Sequence, residues 1–202
     1  MAKAPVAGRV KTRLAREVGV GAALRFARHS AAALLRRVAF DRRWETILAV
    51  TPDTAVASRL WTPQLPRARQ GGGDLGRRMQ RMLDRTRPGP VAIVGTDVPA
   101  IGTAHVARAF RLLGREDAVL GPATDGGYWL VGLRRRPRVL RPFRGVRWSS
   151  PHALADTLAN LEGCRVALLP VLTDVDDAQA VRASGAGSIC VILPPAPAGA
   201  AS

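Results

Sequence analysis

Residues 90–95 read PVAIVG, and this apolar run leads directly into Thr96, Asp97, Val98 and Pro99. A short run that is rich in β-branched residues and bounded by Pro and Gly is typical of a buried strand. In an open parallel sheet, ligands bind in the loops that follow the carboxyl ends of such strands. Asp97 therefore stands where a functional loop begins.

Apolar runs alternate with helical patterns on both sides of this strand, which indicates an α/β fold. The pattern predicts further strands at 46–50, 118–120, 128–133 and 166–169, helices at 20–40, 54–61, 103–113, 149–161 and 177–183, and a helix capped by Asp74 after a loop at 62–73. We expect one Rossmann-like domain over residues 1–193, with a mainly parallel sheet and helices on both faces. Residues 194–202 contain only Pro, Ala, Gly and Ser, which predicts a disordered tail.

The 202-residue chain is strongly basic, with 31 Lys and Arg against 15 Asp and Glu and a net charge of +16. This composition excludes an acidic disordered protein. The arginines are spread over nearly every segment, aromatic residues make up only 4%, and the sequence has no zinc-finger spacing or aromatic stacking motif. We therefore expect no specific nucleic-acid binding and favour a small phosphate-bearing ligand, which fits the same charge.

No apolar run approaches the roughly 18 residues that a membrane-spanning helix requires. The sequence opens with MAKAP and lacks the apolar core of a signal peptide, so we expect a cytoplasmic protein. Cys164 and Cys190 cannot form a disulfide framework, and three scattered histidines argue against a histidine metal site.

Two loops, one basic and one with a carboxylate, are the first candidates for a functional site. Gly8, Lys11 and Arg13 lie in a stretch where glycine lets the backbone approach a phosphate and two cations could hold its oxygens; the alternative is a plain basic arm. Asp97 suits a divalent cation that bridges substrate phosphates, because carboxylate oxygens suit Mg²⁺ or Mn²⁺. The alternative for Asp97 is a helix N-cap.

Two further loops carry carboxylates. Asp125 precedes a pair of glycines, a pattern that marks a turn as often as a site. In residues 173–177 a period of two would make Asp174 and Asp176 face the same way. Two acids on one side of a basic protein suggest metal binding, although capping of a last helix is the alternative.

Together, six segments resemble the rSAM/selenodomain-associated transferase family 1, a group of glycosyltransferases with a GT-A-like, nucleotide-diphospho-sugar transferase fold. The segments are AKAPVAGRVKTRL (2–14), GGDLGRRM (72–79), VAIVGTDVPAI (91–101), VLGPATDGGYWLVGL (119–133), VRWSSPHAL (146–154) and TDVDD (173–177). They span almost the whole chain, and their combination is specific although no single segment is. The chain is also distantly similar to 2-phospholactate and molybdenum-cofactor guanylyltransferases.

The resemblance implies a nucleotide-phosphate loop at Gly8, Lys11 and Arg13. It also implies that Asp74, at a helix start, lies near the nucleotide or the acceptor.

The same resemblance implies a Mg²⁺ or Mn²⁺ site at Asp97, with a second carboxylate from Asp176 or from Asp174 beside it. Asp97 and Asp125 are then the catalytic residues, and Asp125 faces the group being transferred. Trp148 and its neighbour Ser149 belong to a characteristic motif whose role the sequence does not give. A core position is the expectation for Trp148, because one Trp buries a large area.

The chain departs from the family pattern at its two ends. The family has a second Pro where this chain has Ala7, and residues 177–181 lack the usual Thr and second acid. Family members also carry an apolar strand directly before the AKAP segment, whereas this sequence opens at Met1. We expect residues 188–193 (SICVIL) to pair within the main sheet and partly fill that position. The alternative is a true start upstream, which would leave SICVIL at an edge.

Two reactions fit the implied fold. In glycosyl transfer, a small acceptor takes the sugar of a nucleotide sugar; in nucleotidyl transfer, a phosphate-bearing substrate attacks a nucleoside triphosphate and pyrophosphate leaves. Family resemblance favours the first, whereas residues 8–13 resemble the nucleotidyltransferase signature. A degenerate, non-catalytic nucleotide-binding protein is the third hypothesis. The sequence gives no indication of oligomeric state.

Overall fold

A computed structural model describes residues 2–3, 20–59, 61–96, 98, 100–172 and 189–195, with side chains from residue 29 onward apart from residue 189. The helices within these ranges are α1 (Val20–Val38), α2 (Leu75–Arg85), α3 (Thr103–Leu113) and α4 (Ala153–Ala159). The strands are β1 (Ala2–Lys3), β2 (Glu45–Thr51), β3 (Arg67–Arg69), β4 (Val91–Gly95), β5 (Ala118–Pro122), β6 (Tyr128–Leu133), β7 (Val166–Leu168) and β8 (Ile189–Leu193).

The described strands form one mixed sheet. β2, β8, β4, β6, β5 and β7 lie side by side in that order, and β1 and β3 both pair with β2. β6 and β8 run antiparallel to their neighbours, whereas the other strands all point in one direction. The predicted α/β fold class is therefore confirmed, and the sheet is mainly parallel in strand direction although its central pairings are antiparallel.

The run SICVIL supplies β8, and its predicted pairing within the main sheet is confirmed. Cys190 pairs with Leu48 of β2 on one side and with Val94 of β4 on the other. Cys190, Val191 and Ile192 are almost fully buried, because helices cover both faces of the sheet at this point. Burial also raises the pKa of the Cys190 thiol to about 11.

β1 shares the sheet position of β8. Val50 of β2 pairs with both Ala2 of β1 and Arg69 of β3. Because one strand residue has only two lateral neighbours, β1 must lie on the edge of β2 opposite β3, which is the edge that β8 occupies beside Ala49. The segment after Lys3 therefore starts next to the carboxyl end of β2.

Alternating strand residues divide the core into two clusters, one on each face of the sheet. Leu48, Ala92 and Val94 face the cluster that contains α1 and α3. Ala49, Val91 and Ile93 face the cluster that contains α2, and the half-buried Leu154 and Leu158 of α4 pack there too. Helices thus cover both faces, as predicted.

Three local predictions differ from the structure. Residues 53–55 form a 3₁₀ turn in place of the predicted helix at 54–61, and Arg67 donates to the carbonyl oxygens of Val56 and Ser58 beyond it. Residues 67–69 form a short strand inside the predicted loop by pairing in parallel with β2, and their sequence, RAR, contains no apolar run that would predict a strand. α4 begins only at Ala153, since Ser149 adopts a left-handed backbone with φ of 61°. The predicted helix at 177–183 lies outside the described residues.

Within the described ranges, no helix is both long enough and apolar enough to cross a bilayer.

Central β8 should dominate stability. Ile192 is fully buried and pairs with Thr46 and Ala92, so Ile192→Ala should lower the free energy of unfolding by about 2 to 5 kcal/mol. Leu168→Ala is the control, because Leu168 is 51% exposed on β7 and its loss should cost much less. Equilibrium urea unfolding would measure both. Equal losses would contradict the central placement of β8.

A buried arginine caps the end of α2. Arg135 is only 7% exposed, and its guanidinium donates to the carbonyl oxygens of Leu83, Thr86 and Arg87. Its Nε also donates to the carbonyl oxygen of Gly89 at 2.9 Å. The last carbonyls of a helix lack partners within the helix and carry partial negative charge, so a cation stabilises them. Burial lowers the pKa of Arg135, but a guanidinium keeps its charge.

Removing this cap should destabilise the fold. We expect Arg135→Leu to cost about 2 to 3 kcal/mol, because several buried carbonyl groups lose a charge-assisted donor. The exposed neighbour Arg136 offers the matched variant Arg136→Leu, which should stay within about 0.5 kcal/mol of wild type. Thermal and urea unfolding would compare them, and an undiminished stability of Arg135→Leu would rule out the capping role.

Candidate functional site

The carboxyl edge of the sheet is the end at which the co-directional strands terminate. The chain leaves β2 at Pro52, β3 at Gln70, β4 at Thr96 and β5 at Ala123, all at this edge. Leu172, which follows β7, forms a parallel bridge with Ala123. The loops that the sequence singles out therefore start at one end of the sheet, where ligands bind in open α/β folds.

Asp74 is the N-cap of α2, as predicted. Its Oδ1 accepts a hydrogen bond from the backbone N–H of Arg77 at 2.8 Å. The preceding Gly71 has φ of 73°, a conformation that favours glycine, and its N–H donates to Asp53 Oδ1 at 3.0 Å. The glycine loop is thus tied at one end to α2 and at the other to the loop after β2.

Three residues that the sequence analysis missed brace this loop. Gln70 is fully buried, donates from Nε2 to the Ala49 carbonyl oxygen at 2.7 Å, and accepts from Arg78 Nη1 at 3.4 Å. Arg78 also donates from Nε to the Asp74 carbonyl oxygen at 3.2 Å, and Arg81 donates to the carbonyl oxygen of Gln70. Burial lowers the pKa of Arg78 while Asp74 opposes the shift. The sequence feature that could have pointed to this bracing is a glutamine directly before three glycines, at residues 70–73.

Asp125 lies in the loop between β5 and β6 and is exposed. Its Oδ1 accepts from the N–H of Gly127 at 2.9 Å, so the carboxylate orders a tight turn and still reaches solvent. Gly126 has φ of 81°, and a Cβ at that position would lie 2.2 Å from the carbonyl oxygen of Pro151. The Asp125 loop is therefore packed directly against the segment that precedes α4.

Trp148, whose role the sequence left open, is half-buried against the α2 core. Its ring meets Tyr128 edge-on with centroids 6.4 Å apart and lies 6.2 Å from the ring of Phe143. A Cβ at Gly76 of α2 would be 2.9 Å from Trp148 Cζ2. The predicted core position of Trp148 is thus confirmed in part, and the ring contacts both α2 and β6.

The remaining predicted site residues lie outside the described residues. They are Gly8, Lys11, Arg13, Asp97, Asp174 and Asp176. Their predicted roles in phosphate and metal binding stay predictions. Of the predicted site residues, the structure describes Asp74 and Asp125. Asp74 lies two residues before Gly76, and Asp125 lies three residues before Tyr128; Trp148 contacts both Gly76 and Tyr128.

A buried hydroxyl bears on the predicted metal site. Thr96 is fully buried at the end of β4, and its Oγ1 has no hydrogen-bond partner among the described residues. Buried polar atoms normally have a partner, and Thr96 directly precedes Asp97. Within the described ranges, no three His, Cys, Asp or Glu residues come together as a metal site. The predicted donors are all carboxylate oxygens, which fit Mg²⁺ or Mn²⁺.

A model of the bacterial family DUF2064, described as "Uncharacterized protein conserved in bacteria", matches residues 34–150. The chain belongs to this family. The matched stretch contains α2, β4, the Asp125 loop and Trp148.

This DUF2064 protein also resembles a solved structure, the crystal structure of a candidate nucleotide-diphospho-sugar transferase from Desulfovibrio desulfuricans G20. The two share 32% sequence identity with a TM-score of 0.77, over 87% of this chain and 79% of that chain. This similarity supports the predicted nucleotide-diphospho-sugar transferase fold, while the narrower resemblance to the rSAM/selenodomain-associated transferases stays a prediction. Among curated proteins, none matches the sequence.

The packing of Gly126 generates a stability prediction. Gly126→Ala should lower the free energy of unfolding by more than about 1 kcal/mol, because the new Cβ is strained at positive φ and overlaps Pro151. Gly72→Ala is the control, since a Cβ at Gly72 would have no neighbour within 4 Å. Calorimetry would measure both variants. A Gly126→Ala protein as stable as Gly72→Ala would contradict the close packing of the loop.

Proposed function

We propose that this protein is a metal-dependent transferase that takes a sugar from a nucleotide sugar and passes it to a small acceptor. One observation carries the proposal. Loops that begin at the carboxyl edge carry the predicted site residues, in a chain 32% identical over 87% of its length to a candidate nucleotide-diphospho-sugar transferase.

Donor binding is assigned to the phosphate loop and to Asp74. Gly8 would let the backbone approach the diphosphate, and Lys11 and Arg13 would bind its oxygens by charge-assisted hydrogen bonds. Asp74 would contact the nucleotide or the acceptor from the start of α2. The net charge of +16 would favour association with a polyanionic donor.

Asp97, with Asp176 or Asp174, would hold Mg²⁺ or Mn²⁺. The ion, when bound, would neutralise charge on the diphosphate leaving group. The all-oxygen donor set is consistent with this assignment, as is the hydroxyl of Thr96 beside Asp97, which has no hydrogen-bond partner among the described residues.

The chemistry requires one bond to form and one to break. An acceptor oxygen bonds to the anomeric carbon, the bond from that carbon to the diphosphate oxygen breaks, and the nucleoside diphosphate leaves with the electron pair. The acceptor's proton passes to a carboxylate or to water. Asp125, exposed and oriented by the Gly127 N–H, is assigned to face the sugar. Positioning and charge neutralisation supply most of the rate.

Nucleotidyl transfer is the second candidate. The segment with Gly8, Lys11 and Arg13 favours it, because this segment resembles the nucleotidyltransferase signature. A phosphate-bearing acceptor would then attack the α-phosphate, and pyrophosphate would leave.

Product analysis separates these reactions. Incubation with Mn²⁺, a panel of nucleotide sugars and nucleoside triphosphates and a mixture of small acceptors should release nucleoside diphosphate. Release of pyrophosphate would establish the second candidate instead, and release of neither would refute both.

Asp97→Ala should abolish turnover and metal-dependent nucleotide binding while the unfolding transition is retained. Asp117→Ala is the matched control, since Asp117 precedes β5 at the opposite edge. Full activity of Asp97→Ala would overturn the metal assignment.

The phosphate loop is tested by affinity. Lys11→Ala and Arg13→Ala should each weaken binding of the nucleoside diphosphate by about 1.5 to 3 kcal/mol, because each removes a charge-assisted hydrogen bond. Arg85→Ala, an exposed arginine at the end of α2, should leave affinity unchanged. Titration calorimetry would measure the constants. Equal wild-type affinity for the diphosphate and its uncharged nucleoside would identify the loop as a plain basic arm.

A further inference from the structure

We propose that Trp148 is a positioning residue that locks the Asp74 turn and the Asp125 loop into one rigid unit. The inference rests on the proposed function for its catalytic meaning, but its geometry stands on the described residues alone. It gives a role to residues 146–152, which the sequence analysis left without one.

The first contact joins Trp148 to the start of α2. Gly76 lies two residues after the N-cap Asp74, and a Cβ there would approach Trp148 Cζ2 to 2.9 Å and the Phe143 carbonyl oxygen to 2.8 Å. Real Cβ atoms do not pack at such distances, so only glycine lets the ring lie flush on the first turn of the helix. The ring therefore fixes the turn that presents Asp74.

The second contact joins the same ring to the start of β6. Tyr128 follows the Asp125 loop directly and meets Trp148 edge-on. The Tyr128 hydroxyl is itself held, because it lies 3.4 Å from the buried Thr157 Oγ1 of α4. Burial raises the pKa of Tyr128, so the group is neutral and serves as a packing element.

The third contact runs through the backbone next to Trp148. Pro151 packs on Gly126, and the N–H of Leu154 donates to the Gly126 carbonyl oxygen at 2.9 Å. Arg147 anchors this segment by donating to both carboxylate oxygens of Asp156 at 2.9 and 2.7 Å. Those hydrogen bonds hold the pKa of Asp156 well below its usual range.

The two loops have no direct connection along the chain, since some fifty residues separate Asp74 from Asp125. Their common contacts are Trp148 and the segment around it. A misplacement of about 1 Å in a catalytic group can reduce a rate by about 100-fold. A single ring that seats both loops would thus control the rate without touching the substrate.

The test compares Trp148→Phe with Trp44→Phe. Phenylalanine at 148 loses the ring atoms that reach Gly76. Trp44 directly precedes β2 and lies in the core cluster on the opposite face of the sheet, so the control makes the same substitution away from both loops. Hydrogen exchange would follow the amides of Arg77 and Gly127, which bond to Asp74 and Asp125 respectively. Gly76→Ala disturbs the same contact from the helix side, because the added Cβ would overlap the Trp148 ring.

We expect both amides to exchange faster in Trp148→Phe and in Gly76→Ala, and neither to change in Trp44→Phe. The transfer rate constant kcat should fall by about 100-fold in Trp148→Phe, whereas KM for the donor should rise by much less, because Asp74 is one donor contact among several and the phosphate contacts lie in another loop. Unchanged exchange at both amides, or a change at only one, would overturn the coupling. If the wild type transfers no sugar, the proposed function fails, and the exchange rates alone decide the positioning role.

Discussion

The fold depends on the pairing of β8 between β2 and β4. The facing edges of these two strands present backbone N–H and C=O groups in the middle of the sheet, and buried groups of this kind must be paired. β8 satisfies both edges at once, with Cys190 opposite Leu48 on one side and opposite Val94 on the other. Its side chains also complete both core clusters, since Ile192 belongs to one and Val191 to the other.

That central position also organises the carboxyl edge. β8 fixes the spacing of β2 and β4, and β1 continues the same position in the sheet beyond Ile189, where β8 begins. The segment with Lys11 and Arg13 follows β1, and Asp97 follows β4. β8, which comes from the C-terminal part of the sequence and pairs antiparallel, thus sets the distance between the points where two loops begin. These are the loops proposed to bind phosphate and metal.

Sequence patterns predicted the elements that local signals define. The bounds of α3 and β6 agree with the prediction, because apolar periodicity and flanking glycines mark their ends. The Asp74 N-cap followed from its place before a helical pattern. β3 escaped prediction because its three residues, RAR, form no apolar run. The contact of Trp148 with Gly76 escaped it as well, since the two residues lie about seventy positions apart in the sequence. Such contacts exist only once the sheet has formed, so no local pattern reports them.

The arginine content has a structural cause as well as a proposed functional one. Arg67, Arg81 and Arg135 each donate to backbone carbonyl oxygens at the ends of turns or helices, and Arg147 binds Asp156. A guanidinium suits this task because its five donors can serve several acceptors at once. Each such contact fixes a loop to a neighbouring element without a long hydrophobic side chain. In the Asp125 region the arginine anchors the segment and Trp148 supplies the apolar contact, so polar and apolar interactions restrain the same loop from different directions.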